Sequence, residues 1–235
     1  MKLHRARKAV LASLVLLANA AAAQEPLRPA QRQELWVSAA VTSRLPESLH
    51  GLLGRRYDRF RVRGELGYRS ADVFFAGRQI YLDVNLRFKP KKWLALAFEH
   101  RFAGRNGTPG LRNRSIVQAE MQKEFGRAIA EYRFIYQHSF IEWGGQREVF
   151  RNRFQLGYNI PKWKFDPELS VEFFTWAGNK GWSYFGTRWQ FGTQYKLSKG
   201  HSISASLIHD RERDKAWPTH RWIGSFTYTV NLRDL

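Results

Sequence analysis

The chain has 235 residues, 15% of them aromatic, no cysteine and a formal charge of +19. That length covers one domain or a mid-sized barrel, and the missing cysteines exclude a disulfide framework, thiolate metal sites and cysteine nucleophiles. A mean hydropathy of −0.51 excludes a bundle of membrane helices but not a membrane barrel, whose strands offer lipid only alternate residues.

The first residues read as a cleaved secretory signal. Lys2, Arg5, Arg7 and Lys8 precede an apolar run at 9–18, and Ala21, Ala22 and Ala23 give small residues before Gln24. The apolar run is too short to span a bilayer. Cleavage near Ala23 leaves 35 basic against 20 acidic residues, or +15. Residues 24–33 form a polar lead, and 34–235 form the barrel domain.

From there the pattern is period two, the mark of a strand with one apolar and one polar face. Residues 34–43 place Leu35, Val37, Ala39 and Val41 on one side. Residues 45–57, with Pro46, Gly51 and Gly54, alternate poorly. Residues 59–70 alternate arginines with Phe60, Val62, Leu66 and Tyr68. The clearest segment is 79–102: Ile80, Leu82, Val84, Leu86 and Phe88 share a face, Lys89-Pro90-Lys91-Lys92 breaks the run, and Trp93 opens a return strand. A Gly-rich loop (103–110) follows, then strands at 112–125 and 127–140 joined at Gly126. Strands at 150–160, 165–176, 184–197, 201–210 and 220–231 complete the chain.

Eleven strands of roughly ten residues each are readable, about what a tilted membrane strand needs. Short turns alternate with longer loops, which predicts an all-β, up-and-down antiparallel transmembrane β-barrel. A bacterial barrel has an even strand number. If both chain ends lie in the periplasm, a twelfth strand is expected within 45–57, with ten strands as the alternative.

Alternation does not say which face looks inward, since a soluble lipocalin-like barrel reverses a membrane barrel. The strand number exceeds eight. Trp93, Trp163, Tyr184, Trp189, Tyr195, Trp222 and Tyr228 lie toward strand ends, where interfacial girdles belong. The polar face carries long charged groups of both signs. These observations favour the membrane barrel over a soluble basic binder, and the bacterial outer membrane as its location. The arginines occupy alternate strand positions and loops rather than a run or one helix, so nucleic acid is not expected as a partner.

The expected lumen-lining set is Arg59, Arg61, Arg63, Glu65, Arg69, Asp83, Arg87, Glu99, Arg101, Arg112, Arg114, Glu120, Glu131, Arg133, Arg151, Arg153, Glu168, Glu172, Arg188 and Arg221. Cross-strand Arg–Glu neighbours would form a ladder. That ladder is either structural filling or the lining of a narrow, anion-preferring channel. The basic loops (Arg105, Arg112, Arg114; Arg211, Arg213, Lys215) suggest contact with lipopolysaccharide phosphates, beside the outer-membrane lipids and the barrel-assembly machinery.

An enzymatic alternative is a lipid-modifying hydrolase acting from the barrel wall. It needs a serine paired with a histidine. His100, His138 and His209 share apolar faces near the long loops. Ser139 and Ser206, near His138 and His209 in sequence, point to the opposite faces, so no catalytic residue is assigned. Glu99-His100 and His209-Asp210 straddle opposite faces, and Asp210, Glu212 and Asp214 interleave with Arg211, Arg213 and Lys215. No metal site or cofactor is therefore expected.

Several runs carry a resemblance. Glu34-Leu35-Trp36-Val37, Lys91-Lys92-Trp93, the run Arg-Asn-Arg-Phe-Gln-Leu-Gly-Tyr-Asn-Ile at 151–160 with Lys162-Trp163-Lys164-Phe165-Asp166-Pro167 after it, and Tyr-Lys-Leu-Ser-Lys-Gly-His-Ser at 195–202 resemble the uncharacterised outer-membrane barrels of domain of unknown function 2490. The resemblance implies a Gram-negative outer-membrane barrel and no assigned activity. The chain departs from that pattern at 45–57 and at its end, Asn231-Leu232-Arg233-Asp234-Leu235, which lacks a terminal aromatic residue.

Overall fold

The computed structural model describes residues 29–71, 76–140, 148–178, 181–213 and 218–232. The expected signal segment and residues 24–28 of the expected polar lead lie outside them, and residues 30–33 of that lead belong to the first strand. Twelve strands form one sheet: β1 (Ala30–Ser43), β2 (Phe60–Ser70), β3 (Gly77–Lys91), β4 (Leu94–Arg105), β5 (Thr108–Leu111), β6 (Arg114–Phe125), β7 (Ala128–Ser139), β8 (Glu148–Tyr158), β9 (Asp166–Gly178), β10 (Gly181–Ser198), β11 (His201–Glu212) and β12 (Thr219–Asn231).

Eleven of these close the barrel. The short β5 only pairs with the end of β4, through Gly104–Leu111 and Arg105–Thr108. The twelfth strand is therefore not in 45–57. That stretch makes three short helical turns, Glu47–Leu49, His50–Leu53 and Gly54–Arg59. Its apolar groups do not alternate, and Gly54 takes φ +51°, a conformation that breaks a strand. Tyr57 is buried there; its hydroxyl donates to the Leu45 carbonyl, and its ring meets His50 edge-on at 5.0 Å.

With eleven strands, the first and last run the same way. β1 and β12 pair in parallel, from Ala30 opposite Thr219 to Thr42 opposite Asn231. Every neighbouring pair within the rest of the barrel is antiparallel. Even parity assumed that the chain enters and leaves at one end. Instead β1 begins at the end carrying the connections 71–76, 140–147 and 213–218, and β12 finishes at the end carrying the short turns. Ser38 and Thr227 hydroxyls bond across the seam at 2.9 Å, and the backbone bonds Ala30 N–H to Pro218 O (3.0 Å) and Leu232 N–H to Thr42 O (2.9 Å) finish it.

The two faces separate as alternation requires. Leu66 (58% exposed), Ile80 (61%), Val117 (53%) and Phe191 (60%) point outward. Glu34, Asp83, Arg101, Glu120, Glu172 and Asp210 are buried inside, among Tyr81, Ile116, Ile135, Phe174, Ile208 and Ile223. A soluble barrel has the opposite arrangement, because its apolar groups must leave water. Trp93, Trp163, Tyr184, Trp189, Trp222 and Tyr228 are exposed outside.

Candidate functional site

The interior is built as a charge ladder. Register sets Glu172 (β9) opposite Arg188 (β10), Arg188 opposite Asp210 (β11), and Asp210 opposite Arg221 (β12). Arg188 Nη2 donates to Asp210 at 2.8 Å, and Arg221 Nη2 donates to Asp210 at 3.0 Å and Glu212 at 2.6 Å. On β8, Arg151 grips Glu172 with Nε and Nη2 at 2.8 and 3.1 Å. A forked guanidinium suits this role because it donates two parallel bonds to one carboxylate.

A second cluster joins β3, β4, β6 and β7. Arg101 holds both Asp83 oxygens. Arg87 and Arg133 share Glu120, and Arg133 also bonds Glu131 at 2.6 Å. Arg63 bonds Glu65 at 2.9 Å, and the Tyr81 hydroxyl donates to the same carboxylate at 3.0 Å. Aromatic rings lie between the cations. Arg101 sits 3.8 Å from the Tyr81 centroid, Arg69 4.0 Å from Trp36, and Arg188 5.3 Å from Trp36 and 5.0 Å from Phe174. These side chains crowd the middle of the barrel and leave among them a polar cavity of about 190 Å³, bounded by Trp36, Arg69, Tyr81, Arg151, Glu172 and Arg188.

Toward the long-connection end a polar cavity of about 740 Å³ opens above this layer. Twelve arginines and five carboxylates line it, a positive excess of seven. Arg69, Glu99, Arg114 and Arg153 face it beside the paired groups. Arg153 spends one Nη2 contact on Gln155 (2.7 Å), which in turn donates to Glu168 at 3.2 Å. The cavity also reaches Arg112, Arg105 and Arg32, so it is basic from mouth to floor.

One residue of the sequence-based set lies elsewhere, and another, Arg61, stays on the inner face opposite Arg87 but at its very end. Arg59 belongs to a helical turn and donates to Pro90 O at 2.7 Å in an exposed position. Arg61 bonds the carbonyls of Asp58 (2.8 Å) and Phe60 (2.6 Å) near the short-turn end. Other interior residues were missed. Glu34, wholly buried, accepts from Arg78 at 2.8 and 3.2 Å and from the Trp36 indole at 3.0 Å. The sequence pattern ends its strand at Asp210 and leaves Glu212 in a loop, but β11 continues to Glu212. Period two continued past Ile208 would have placed both inside. Lys215 and Asp214 fall outside the described residues.

The outer wall is not uniformly apolar. In one row across β4, β6, β7 and β8, register places His100 opposite Ser115, Ser115 opposite His138, and His138 opposite Glu148. His100 Nδ1 and Ser115 Oγ are 2.9 Å apart, and His138 Nδ1 and Glu148 Oε1 2.6 Å. The Tyr136 hydroxyl donates to the other Glu148 oxygen. His209 has a different setting, stacked on Trp222 at 4.5 Å. On the same side of the barrel as the row, toward the short turns, an apolar recess of about 800 Å³ is lined by Trp93, Met121, Phe125, Tyr132, Phe154 and Leu169. Among the described residues no cluster of three or more metal-ligating groups forms.

Neither a curated protein nor a solved structure matches the chain. A family model matches residues 33–220, from β1 to the first residues of β12, and the chain thus belongs to the family described as protein of unknown function (DUF2490).

Proposed function

We propose that the mature chain is an integral β-barrel of a Gram-negative outer membrane, and that its interior is a basic vestibule for small anions above a lumen narrowed by packed side chains. The observation that carries the location is the inversion of polarity: aliphatic and aromatic groups cover the outside while arginine–carboxylate pairs occupy the centre. In water such an exterior would be a large exposed apolar surface, which soluble monomers avoid. In a bilayer it faces acyl chains, and the outer tryptophans and tyrosines meet headgroups.

The anion reading rests on the surplus of guanidinium groups around the cavity. Fixed positive charge in a narrow, poorly hydrated space raises local anion concentration. The packed middle layer argues against passage of large solutes and for low conductance. The cations near the mouth, Arg105, Arg112 and Arg32, suit phosphate-bearing headgroups as well as free anions.

Fractionation tests the location: the chain stays with membranes after carbonate washing and shows a heat-dependent gel mobility in detergent. Release by carbonate refutes it. Planar-bilayer recording under a potassium chloride gradient tests the vestibule, with a small conductance whose reversal potential has the sign of anion preference. A cation-selective current refutes the anion reading.

A further inference from the structure

We propose that the outer wall carries a serine esterase site, with Ser115 as nucleophile and His100 as base, acting on ester-linked acyl chains of membrane lipids. This inference rests on the membrane reading above, since the site faces the surroundings of the barrel rather than its lumen. The starting observation is the row His100, Ser115, His138, Glu148 on adjacent strands. Ser115 is the second residue of β6, His138 the last but one of β7, and Glu148 the first of β8. The row thus lies toward the long-connection end of the wall, with Phe102 and Phe140 beyond it; in a bilayer that end approaches the headgroups, near the level of lipid esters.

Polar groups on a lipid-facing wall are costly unless they are at the interface or have a task. A ring of polar groups serving only as an interface would turn to water and headgroups. Here they turn to one another, Ser115 to His100 and Glu148 to His138. Phe140 is 5.9 Å from the His100 ring and 5.0 Å from the His138 ring, and Phe102 is 4.5 Å from His100. The phenyl groups frame the row and limit water beside it. Below it Val117, Ala119 and Phe134 lead down the wall to the apolar recess, a path that suits an acyl chain.

The reaction follows from that geometry. Ser115 Oγ attacks the ester carbonyl carbon while its proton passes to His100 Nδ1, at 2.9 Å. The tetrahedral oxyanion collapses, the carbonyl–alkoxide bond breaks, and the imidazolium returns the proton to the leaving alcohol. The acyl group stays on Ser115. Water then adds to this acyl-enzyme, giving its proton to His100; collapse releases the fatty acid and restores Ser115. The net reaction is ester plus water to acid plus alcohol. His138 faces Ser115 from the other side. Its ring is fixed there by the 2.6 Å contact between Nδ1 and Glu148.

The test uses the full mature chain folded in detergent, with mixed micelles of a diacyl phosphatidylethanolamine in one arm and lipopolysaccharide in the other. Free fatty acid is measured. Release in either arm, falling by about 10²-fold or more in Ser115→Ala and His100→Asn and unchanged in His209→Ala, supports the site and names the donor lipid. Heat-dependent gel mobility selects folded variants. Where a variant does not fold, an alkyl fluorophosphonate on the unsubstituted chain replaces it, with the adduct expected on Ser115 by peptide mass. No release in either arm, an undiminished rate in folded Ser115→Ala, or an adduct on another residue overturns the proposal. A chain that holds to membranes yet releases no fatty acid overturns this inference alone; one that washes off with carbonate overturns the location with it.

Discussion

Glu172 is the residue whose charge the interior most depends on. It is 4% exposed, takes two bonds from Arg151 at 2.8 and 3.1 Å, and faces Arg188 at 3.8 Å. Glu172→Gln keeps the side-chain volume but leaves one neutral oxygen for two guanidinium groups and turns an amide N–H toward a cation. Each charge-assisted bond contributes about 1.5–3 kcal/mol, and breaking a buried ion pair from one side costs about 3–5 kcal/mol. Arg188 keeps Asp210 at 2.8 Å, which puts the expected loss near the lower figure, about 3 kcal/mol. The double variant Glu172→Leu with Arg151→Leu removes both charges, and its loss should be smaller than the sum of the single losses. Urea unfolding of the detergent-folded barrel, followed by tryptophan fluorescence, measures both. A Glu172→Gln barrel within about 1 kcal/mol of the parent, or a strictly additive double variant, would refute the claim that the ladder is a coupled network.

Gly67→Ala should destabilise by about 1–3 kcal/mol, because its Cβ would come within 2.2 Å of Tyr81 Cζ. The displaced ring would then release both Glu65 and Arg101, and an unchanged urea midpoint would contradict this. Glu34→Ala strips Arg78 and the Trp36 indole of their shared acceptor next to the parallel seam. Amide exchange at Val37 and Ile223 should accelerate more than at Ile135, and uniform exchange across the barrel would count against a local role. Arg114→Ala should weaken the anion preference of any bilayer current, since Arg114 lines the basic cavity. An unaltered reversal potential would place the ion path elsewhere.

Strict alternation sets most of the strand pattern, because a half-buried strand must repeat every two residues. The eleven readable strands are the eleven that close the barrel. Strand 45–57 was added from parity, not from residues, and it is the segment that turned out helical. The charged interior was legible as a composition: arginines and carboxylates on one face. Its partners were not, since a one-residue slip in register changes every neighbour. The parallel seam of β1 and β12 joins residues 30–42 to 219–231, and no local signal announces a pairing across the whole chain. Ser115 shows the same limit. Sequence neighbours offered Ser139 for His138, on the wrong face, whereas the contact that forms crosses from β4 to β6 over the β5 excursion. The side-chain sequence thus determined which groups face in and which face out. Only closure of the sheet decided which of them meet, because strand register is a property of the whole barrel rather than of any one strand.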